Sequence, residues 1–168
     1  MNQKVQDALN TQINAELHSA YIYLSMSAHF EEQSLSGMAQ WMRLQAQEEM
    51  EHAMRLYDFV HTRGGRVILE AVEGPPTEWG TPVSIFEAAL AHEKKITGMI
   101  HDLYALATEE KDYPTQSMLQ WFVDEQVEEE DNVGTVVDQL KMVSDDLPSL
   151  LLMDRELGAR KPEEEGEE

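Results

Sequence analysis

Five polar residues of metal-ligating types occupy positions where a helical repeat calls for apolar side chains. They are Glu16, Glu49, His52, Glu93 and Glu129. Each lies in a run whose members are spaced by steps of three and four, which keeps them on the one helix face that packs inward in a bundle. Four inward carboxylates and one imidazole need cations to neutralise them. The pattern therefore predicts a metal site.

The runs themselves are long and regular. The first consists of Leu9, Ile13, Glu16, Ala20, Tyr23, Ser27 and Phe30. Runs of the same spacing extend over 38–59, 86–107 and 119–143 and contain the other four ligand candidates. A purely structural explanation would require Lys or Arg at the inward positions of these runs to pair with the carboxylates, and those positions carry neither. Metal binding is the favoured interpretation, because buried charges are normally paired or metal-bound.

The candidate ligands divide into two sets. Glu49 and His52 form a Glu-x-x-His pair, one turn apart on a single helix face. Oxygen ligands with one imidazole suit iron, manganese or zinc. Glu49 is the most central residue, so we predict that it bridges two metals. Glu16 and His52 would complete one metal, and Glu93 and Glu129 the other.

Two further residues in the same runs could support the site. Gln126 lies one turn before Glu129 and is a poor metal ligand, so it is interpreted as a hydrogen-bonding group for bound oxygen or water. Tyr23 lies seven residues beyond Glu16 on the same face. Its sequence position fits two readings equally: an aromatic core residue with a satisfied hydroxyl, or a redox or supporting group.

Three other glutamates flank the predicted ligand layer. They are Glu48, Glu125 and Glu128, each displaced from the inward runs. They could hold a third, weaker metal on the way to one surface. Plain solvated glutamates are a comparable explanation, since most acidic side chains lie on outward faces.

Five helical segments position these residues. They are predicted over 2–31, 37–63, 82–110, 114–143 and 148–158. The first two and the next two are separated by only a few residues, which makes antiparallel hairpins. The long segment GGRVILEAVEGPPTEWG between them could extend about 50 Å and carry the chain back along a helix. We predict an all-α four-helix bundle with one long crossover connection and a short fifth helix.

This topology brings the candidate ligands to one level. Residues 16 and 52 are equally distant from the first hairpin turn, and residues 93 and 129 are equally distant from the second. With the second and third helices parallel, Glu49 and Glu93 lie nearly the same distance from their helix starts. The five residues are therefore predicted to form one layer halfway down the bundle.

Composition limits the remaining function classes. The chain has 168 residues, no cysteine and a formal net charge of −21. Thiolate metal sites are thus excluded, and nucleic acid would be repelled. The sequence contains neither a signal-peptide pattern nor an apolar run of membrane-spanning length, so a cytoplasmic protein without membrane association is expected. We predict one domain over 1–159 and a disordered acidic tail over 160–168.

At this point the residues resemble ferritins, the non-haem prokaryotic kind in particular. The likeness spans the chain to about Gly158 and includes NAELHSAYIYLSM, RLQAQEEMEHAMRLYDFV, AHEKKI and LQWFVDEQVEEE. The resemblance implies a ferroxidase centre, at which two Fe(II) ions are oxidised by O2. It also implies that Fe(III) mineral is stored in a hollow homo-oligomeric shell, usually of twenty-four subunits.

The resemblance also implies a role for each matching position. The two iron sites correspond to Glu16, Glu49, His52, Glu93 and Glu129, with Gln126 as the family's nearby glutamine. Glu48, Glu125 and Glu128 match the third iron site of prokaryotic ferritins. The apolar fifth helix fits a position at a symmetry axis of the shell.

Departures from neighbouring families leave alternatives open. Bacterioferritins and rubrerythrins look similar but carry a second Glu-x-x-His in the fourth helix, where this chain has Gln126 and Glu129. Rubrerythrins also need cysteine, so neither family is favoured and no haem is expected. The alternative function is a di-iron oxidase or peroxidase that stores no bulk iron. A further alternative is a bundle that buffers metal without oxidising it.

Overall fold

Five α-helices make up the regular structure of residues 1–162, the part of the chain that the computed structural model describes. In chain order they are α1 (Gln3–Glu32), α2 (Ser36–Thr62), α3 (Pro82–Glu109), α4 (Tyr113–Val143) and α5 (Leu147–Leu157). Residues 1–162 contain no β-strand, and none of their helices is long and apolar enough to cross a membrane. The predicted all-α class is confirmed.

Polar residues immediately before the helices determine where several of them begin. The Thr81 side chain accepts a hydrogen bond from the backbone of Ser84, and Pro82 occupies the first turn, as the sequence predicted. Asp112 caps α4 in the same way through Thr115, at 3.3 Å. The connections between α1 and α2 and between α3 and α4 are short. Each of these two pairs therefore packs as an antiparallel hairpin.

The connection between α2 and α3 runs alongside α1. Near its beginning, the backbone carbonyl of Arg66 accepts a hydrogen bond from Asn10 Nδ2 at 3.0 Å. Near its end, the carbonyl of Pro76 accepts one from Ser25 Oγ at 2.6 Å. These contacts lie far apart on α1, so the connection returns the chain along the bundle. This is the predicted long crossover, and it makes α3 parallel to α2.

The apolar core is divided into two halves. One half lies toward the α1–α2 turn and is built around buried residues that include Phe30, Met38, Phe86 and Leu140. The other lies toward the α3–α4 turn and includes Val5, Leu56, Ile100 and Leu119. Between these halves lies the layer of buried polar residues. The predicted level of the ligand candidates therefore coincides with the gap in the apolar core.

The short helix α5 packs against α2 and α4. Its Met153 and Asp154 are buried, at 7% exposure each. The packed chain continues beyond α5, because Arg160 forms side-chain hydrogen bonds to α2. The predicted domain boundary at residue 159 stays a prediction. The remainder of the predicted tail, residues 163–168, lies outside the described residues.

Candidate metal centre

All five predicted ligands are buried in one layer between the two halves of the core. Their exposed fractions are 1% for Glu16, Glu49 and Glu93, 4% for Glu129 and 5% for His52. The four long helices each contribute at least one of them, because the spacing of three and four residues turns each ligand position inward. Water therefore does not solvate these carboxylates, and the protein must supply their partners.

Three of the ligands converge closely enough to hold one cation. Glu16, Glu49 and His52 each offer a ligand atom, and these atoms lie within 4.8 Å of one another. His52 Nδ1 is 3.6 Å from a carboxylate oxygen of Glu49. The rings of Trp121 and Phe122 pack against the imidazole in T-shaped contacts and restrict its orientation. This group corresponds to the first predicted metal set.

The other two carboxylates, Glu93 and Glu129, accept hydrogen bonds from neutral donors. The hydroxyl of Tyr23 donates to Glu93 Oε1, and the amide of Gln126 donates to Glu93 Oε2 at 3.2 Å. Gln45 Nε2 lies 2.8 Å from both carboxylate oxygens of Glu129. Glu93 and Glu129 thus share the layer with Glu49, but the described residues do not place the three as one ligand group. The second metal set stays a prediction.

Both predicted supporting residues contact a ligand candidate. Tyr23 is fully buried, and its hydroxyl is satisfied by Glu93, so it fills the core and also positions a carboxylate. The Gln126 amide nitrogen donates to Glu93 and to Thr97 Oγ1, both at 3.2 Å. Its predicted interaction with bound oxygen or water is not tested by this arrangement and stays a prediction.

The three residues of the predicted third site have different surroundings. Glu125 joins His52 and Glu129 in a second group whose ligand atoms lie within 4.8 Å of one another. Glu48 forms an ion pair with Arg160 at 2.5 Å, whereas Glu128 is exposed. Within residues 1–162 no ligand group unites the three glutamates. Glu125 lies beside the main centre, with His52 Nε2 3.9 Å from its carboxylate, and the third site stays a prediction.

Burial changes the protonation chemistry of the layer. It raises the pKa of Glu16 to about 8, with a further contribution from the charge of Glu49. Burial also raises the pKa values of Glu49 and Glu129 well above the ordinary range, and the neighbouring carboxylates add to both shifts. Burial thus favours the protonated form of these carboxyl groups, and a cation that binds there must displace the protons they carry. One oxygen of Glu16, Oε2, is buried without a hydrogen-bond partner.

Sequence reasoning missed three residues that hold the ligands. Gln12 Nε2 donates to Glu16 Oε1 at 2.8 Å, and Gln45 Nε2 donates to Glu49 Oε1 at 3.2 Å. Each glutamine precedes its glutamate by four residues, and this spacing is a signal that could have identified both. Arg160 gave no such signal, because it follows the last helix and precedes an acidic run.

Comparison with known proteins agrees with this geometry. Residues 6–143 match the ferritin family, described as a ferritin-like domain. The chain is 41% identical over 160 residues to a bacterial non-heme ferritin of Bacteroides fragilis, covering 95% of this chain and 99% of that protein. It is 39% identical to a bacterial non-heme ferritin of Staphylococcus saprophyticus, covering 98% of each.

Solved structures show the same likeness. An open pore ferritin from the archaeon Archaeoglobus fulgidus superposes with a TM-score of 0.95 at 48% identity, covering 96% of this chain and 98% of that one. A structure described as a humanized archaeal ferritin gives a TM-score of 0.96 at 44% identity, covering 98% and 99%. The chain therefore belongs to the ferritin family, as a ferritin of the non-haem prokaryotic kind.

Proposed function

We propose that this protein is an iron-storage ferritin with ferroxidase activity. It binds Fe(II) at a di-iron centre within one subunit, oxidises it with O2, and stores the Fe(III) as mineral inside a hollow shell. The family match and the names of its relatives support storage. The proposed location is the cytoplasm.

The buried ligand layer is the observation that carries the proposal. Four carboxylates and an imidazole, all at most 5% exposed, come from four helices of one chain. Glu16 Oε2 has no hydrogen-bond partner there, although an unsatisfied buried polar atom is costly. A divalent cation held by Glu16, Glu49 and His52 would satisfy that oxygen. Nitrogen and oxygen donors of this kind suit Fe(II).

The proposed ligands fall into two sets, one for each iron ion. Glu49 contributes to both sites, with Glu16 and His52 at the first and Glu93 and Glu129 at the second. Because the carboxyl pKa values are raised, binding of the two ions releases protons. Tyr23 and Gln126 orient Glu93 through their hydrogen bonds, as described above. Two Fe(II) ions together give two electrons to one O2, which takes up two protons and leaves as hydrogen peroxide, and the two Fe(III) ions move to the mineral.

Exposed apolar residues support assembly into a shell. They lie at the end of α4 and along α5, with exposed fractions of 81% for Met142, 65% for Leu147 and 58% for Leu152. Apolar patches of this kind mark interaction sites. We propose that they are covered by neighbouring copies in a homo-oligomer of about twenty-four subunits, as the family resemblance implies. The solved structure from Archaeoglobus fulgidus is itself described as an open pore ferritin.

The test is aerobic addition of excess Fe(II) to the wild type and to a Glu49→Ala/His52→Ala variant. Fe(III) absorbance gives the oxidation rate, and size-exclusion chromatography shows whether iron elutes with a large assembly. Glu51→Gln is the matched control, because Glu51 lies between the two ligands on α2 but is exposed. We expect rapid oxidation by the wild type and by the control, but not by the Glu49→Ala/His52→Ala variant. Many irons per subunit should then elute with the large assembly.

Two other results would contradict the proposal. Oxidation that stops at about two irons per subunit, the capacity of the ligand set, would favour a di-iron oxidase or peroxidase over a store. Iron that binds but remains reduced for as long as in a protein-free control would favour a metal buffer. Elution of the iron-loaded protein as a dimer would likewise contradict the shell.

A further inference from the structure

Arg160 places a fixed positive charge beside the metal centre. It follows α5 by three residues and contacts one stripe of α2. Its guanidinium lies 4.6 Å from the ring centre of Trp41. It donates to Gln45 Oε1 at 2.9 Å and to Glu48 Oε2 at 2.5 Å. The two side chains of the ion pair are only 18% and 12% exposed, so solvent screens the pair much less than at the surface.

The amide of Gln45 connects this cation to the metal ligands. Its oxygen accepts from Arg160, so its nitrogen must face the other way, where it donates to Glu129 and Glu49. Gln45 is fully buried, and reversing its amide would set its oxygen against two carboxylates. Arg160 therefore fixes the orientation of the amide and lies two hydrogen bonds away from two predicted ligands.

The docking of α5 delivers Arg160 to this position. Asp154 Oδ1 accepts a hydrogen bond from the backbone of Met38 at 2.8 Å, which ties α5 to the first turn of α2. Gly37 and Gly158 approach each other so closely that a Cβ on Gly158 would lie 2.8 Å from the Gly37 Cα. The chain thus leaves α5 against α2, two residues before the arginine.

We propose that Arg160 is a positioning residue that acts as an internal cation at Glu48. A metal ion that binds on the Glu48 side of the centre must displace it, and its charge opposes retention of further cations there. Arg160 would thereby limit the number of metals held at the centre and leave Fe(III) free to move to the mineral. The inference rests on the proposed di-iron site. It adds that Arg160 limits how many metal ions this site retains.

Zn(II) binding to the metal-free assembled protein tests the proposal without any redox reaction. Isothermal titration would compare the wild type with Arg160→Gln, which removes the charge, and Arg160→Lys, which retains it. Arg155→Gln is the matched control, because Arg155 lies on α5 and is exposed. A Glu48→Gln/Arg160→Gln double variant tests whether any new site uses Glu48. The melting temperature of each metal-free variant checks folding.

We expect the wild type to bind about two Zn(II) ions tightly per subunit. Arg160→Gln should bind about one more, or tighten the weakest site by about tenfold, which corresponds to about 1.4 kcal/mol. Arg160→Lys and Arg155→Gln should match the wild type, and the double variant should lose the gain. If the wild type and a folded Arg160→Gln bind Zn(II) equally, the proposed role of Arg160 is wrong, while the proposed metal centre is unaffected. A wild type that binds no Zn(II) would overturn the proposed metal centre as well.

Discussion

Replacement of Glu16 by glutamine isolates the cost of burying one carboxyl group at the centre. The substitution keeps the shape of the side chain and removes its ionisation. In the folded protein Glu16 is 1% exposed, and its neighbours include the carboxylate of Glu49. We expect metal-free Glu16→Gln to become progressively more stable than the wild type as the pH rises.

The magnitude follows from the pKa. Burial raises the pKa of Glu16 from 4.5 to about 8, so the folded protein keeps a proton that the unfolded chain releases. Stability from this group is complete below about pH 4.5 and declines as the pH rises to about 8. One pKa unit corresponds to about 1.36 kcal/mol, which makes the total loss on the order of 5 kcal/mol per subunit. Glutamine at this position does not ionise, so Glu16→Gln does not lose this stability as the pH rises.

Thermal unfolding of both metal-free proteins between about pH 5 and about pH 9 is the assay. For a chain of this length, about 1 kcal/mol changes the melting temperature by about 2–4 °C. The difference between variant and wild type should therefore grow by on the order of 10 °C across the range. Addition of Zn(II) should reduce the difference by about half at the highest pH, because a ligand at a hundredfold excess over its Kd stabilises the wild type by about 2.7 kcal/mol.

A matched control separates this effect from general loss of negative charge. Glu31 lies on the same helix but is exposed, so Glu31→Gln should follow the wild type at every pH. A difference between Glu16→Gln and wild type that stays constant with pH would refute the reasoning about burial. Retention of full Zn(II) stabilisation by Glu16→Gln would show that Glu16 is not a ligand.

Three further predictions address neighbouring features. Tyr23→Phe removes a hydrogen bond that lowers the pKa of Glu93, so Zn(II) binding should weaken several-fold more at about pH 6 than at about pH 8 in a competition titration. Gly37→Ala places a Cβ on the Asp154 carbonyl oxygen, so α5 should detach and size-exclusion chromatography should show a smaller assembly. With a net charge of −21 per subunit, the shell should dissociate in about 0.01 M salt and reform in about 1 M salt, also by size-exclusion chromatography.

Each of these has an outcome that contradicts it. Equal weakening at both pH values would mean that Tyr23 does not act through the protonation of Glu93. Gly98→Ala is the control for Gly37→Ala, because a Cβ at Gly98 meets nothing within 4 Å, and comparable disassembly by both would remove the steric argument. An intact shell at low salt would show that apolar contacts outweigh repulsion between subunits.

Most of the fold was predictable because helical periodicity is a local property. The spacing of apolar residues defined four long helices, and Thr81 with Pro82 marked the start of one of them. The long crossover followed from chain length alone. Burial of Glu16, Glu49 and His52 was predictable for the same reason, since an inward position is set by residues within a few turns.

The partners of each buried carboxylate were not predictable in this way. Tyr23 meets Glu93 across 70 residues of sequence, and Gln45 meets Glu129 across 84. Neither pairing leaves a trace in local spacing, because both depend on how the helices rotate against one another. Glu93 and Glu129 share the layer with Glu49, and whether they hold a second metal stays a prediction, while Glu125 lies close to His52 although the sequence places it outside the inward run.

The sequence by itself determined the helices, their order and the single level at which the polar residues are buried, because periodicity and connection length act along the chain. Only the tertiary structure decided which donor holds which carboxylate and brought Arg160 to Glu48 across 112 residues. That contact requires α5 to dock through Gly37 and Asp154. Hydrogen-bond geometry between distant elements is fixed by packing, so it appears only when the helices are assembled.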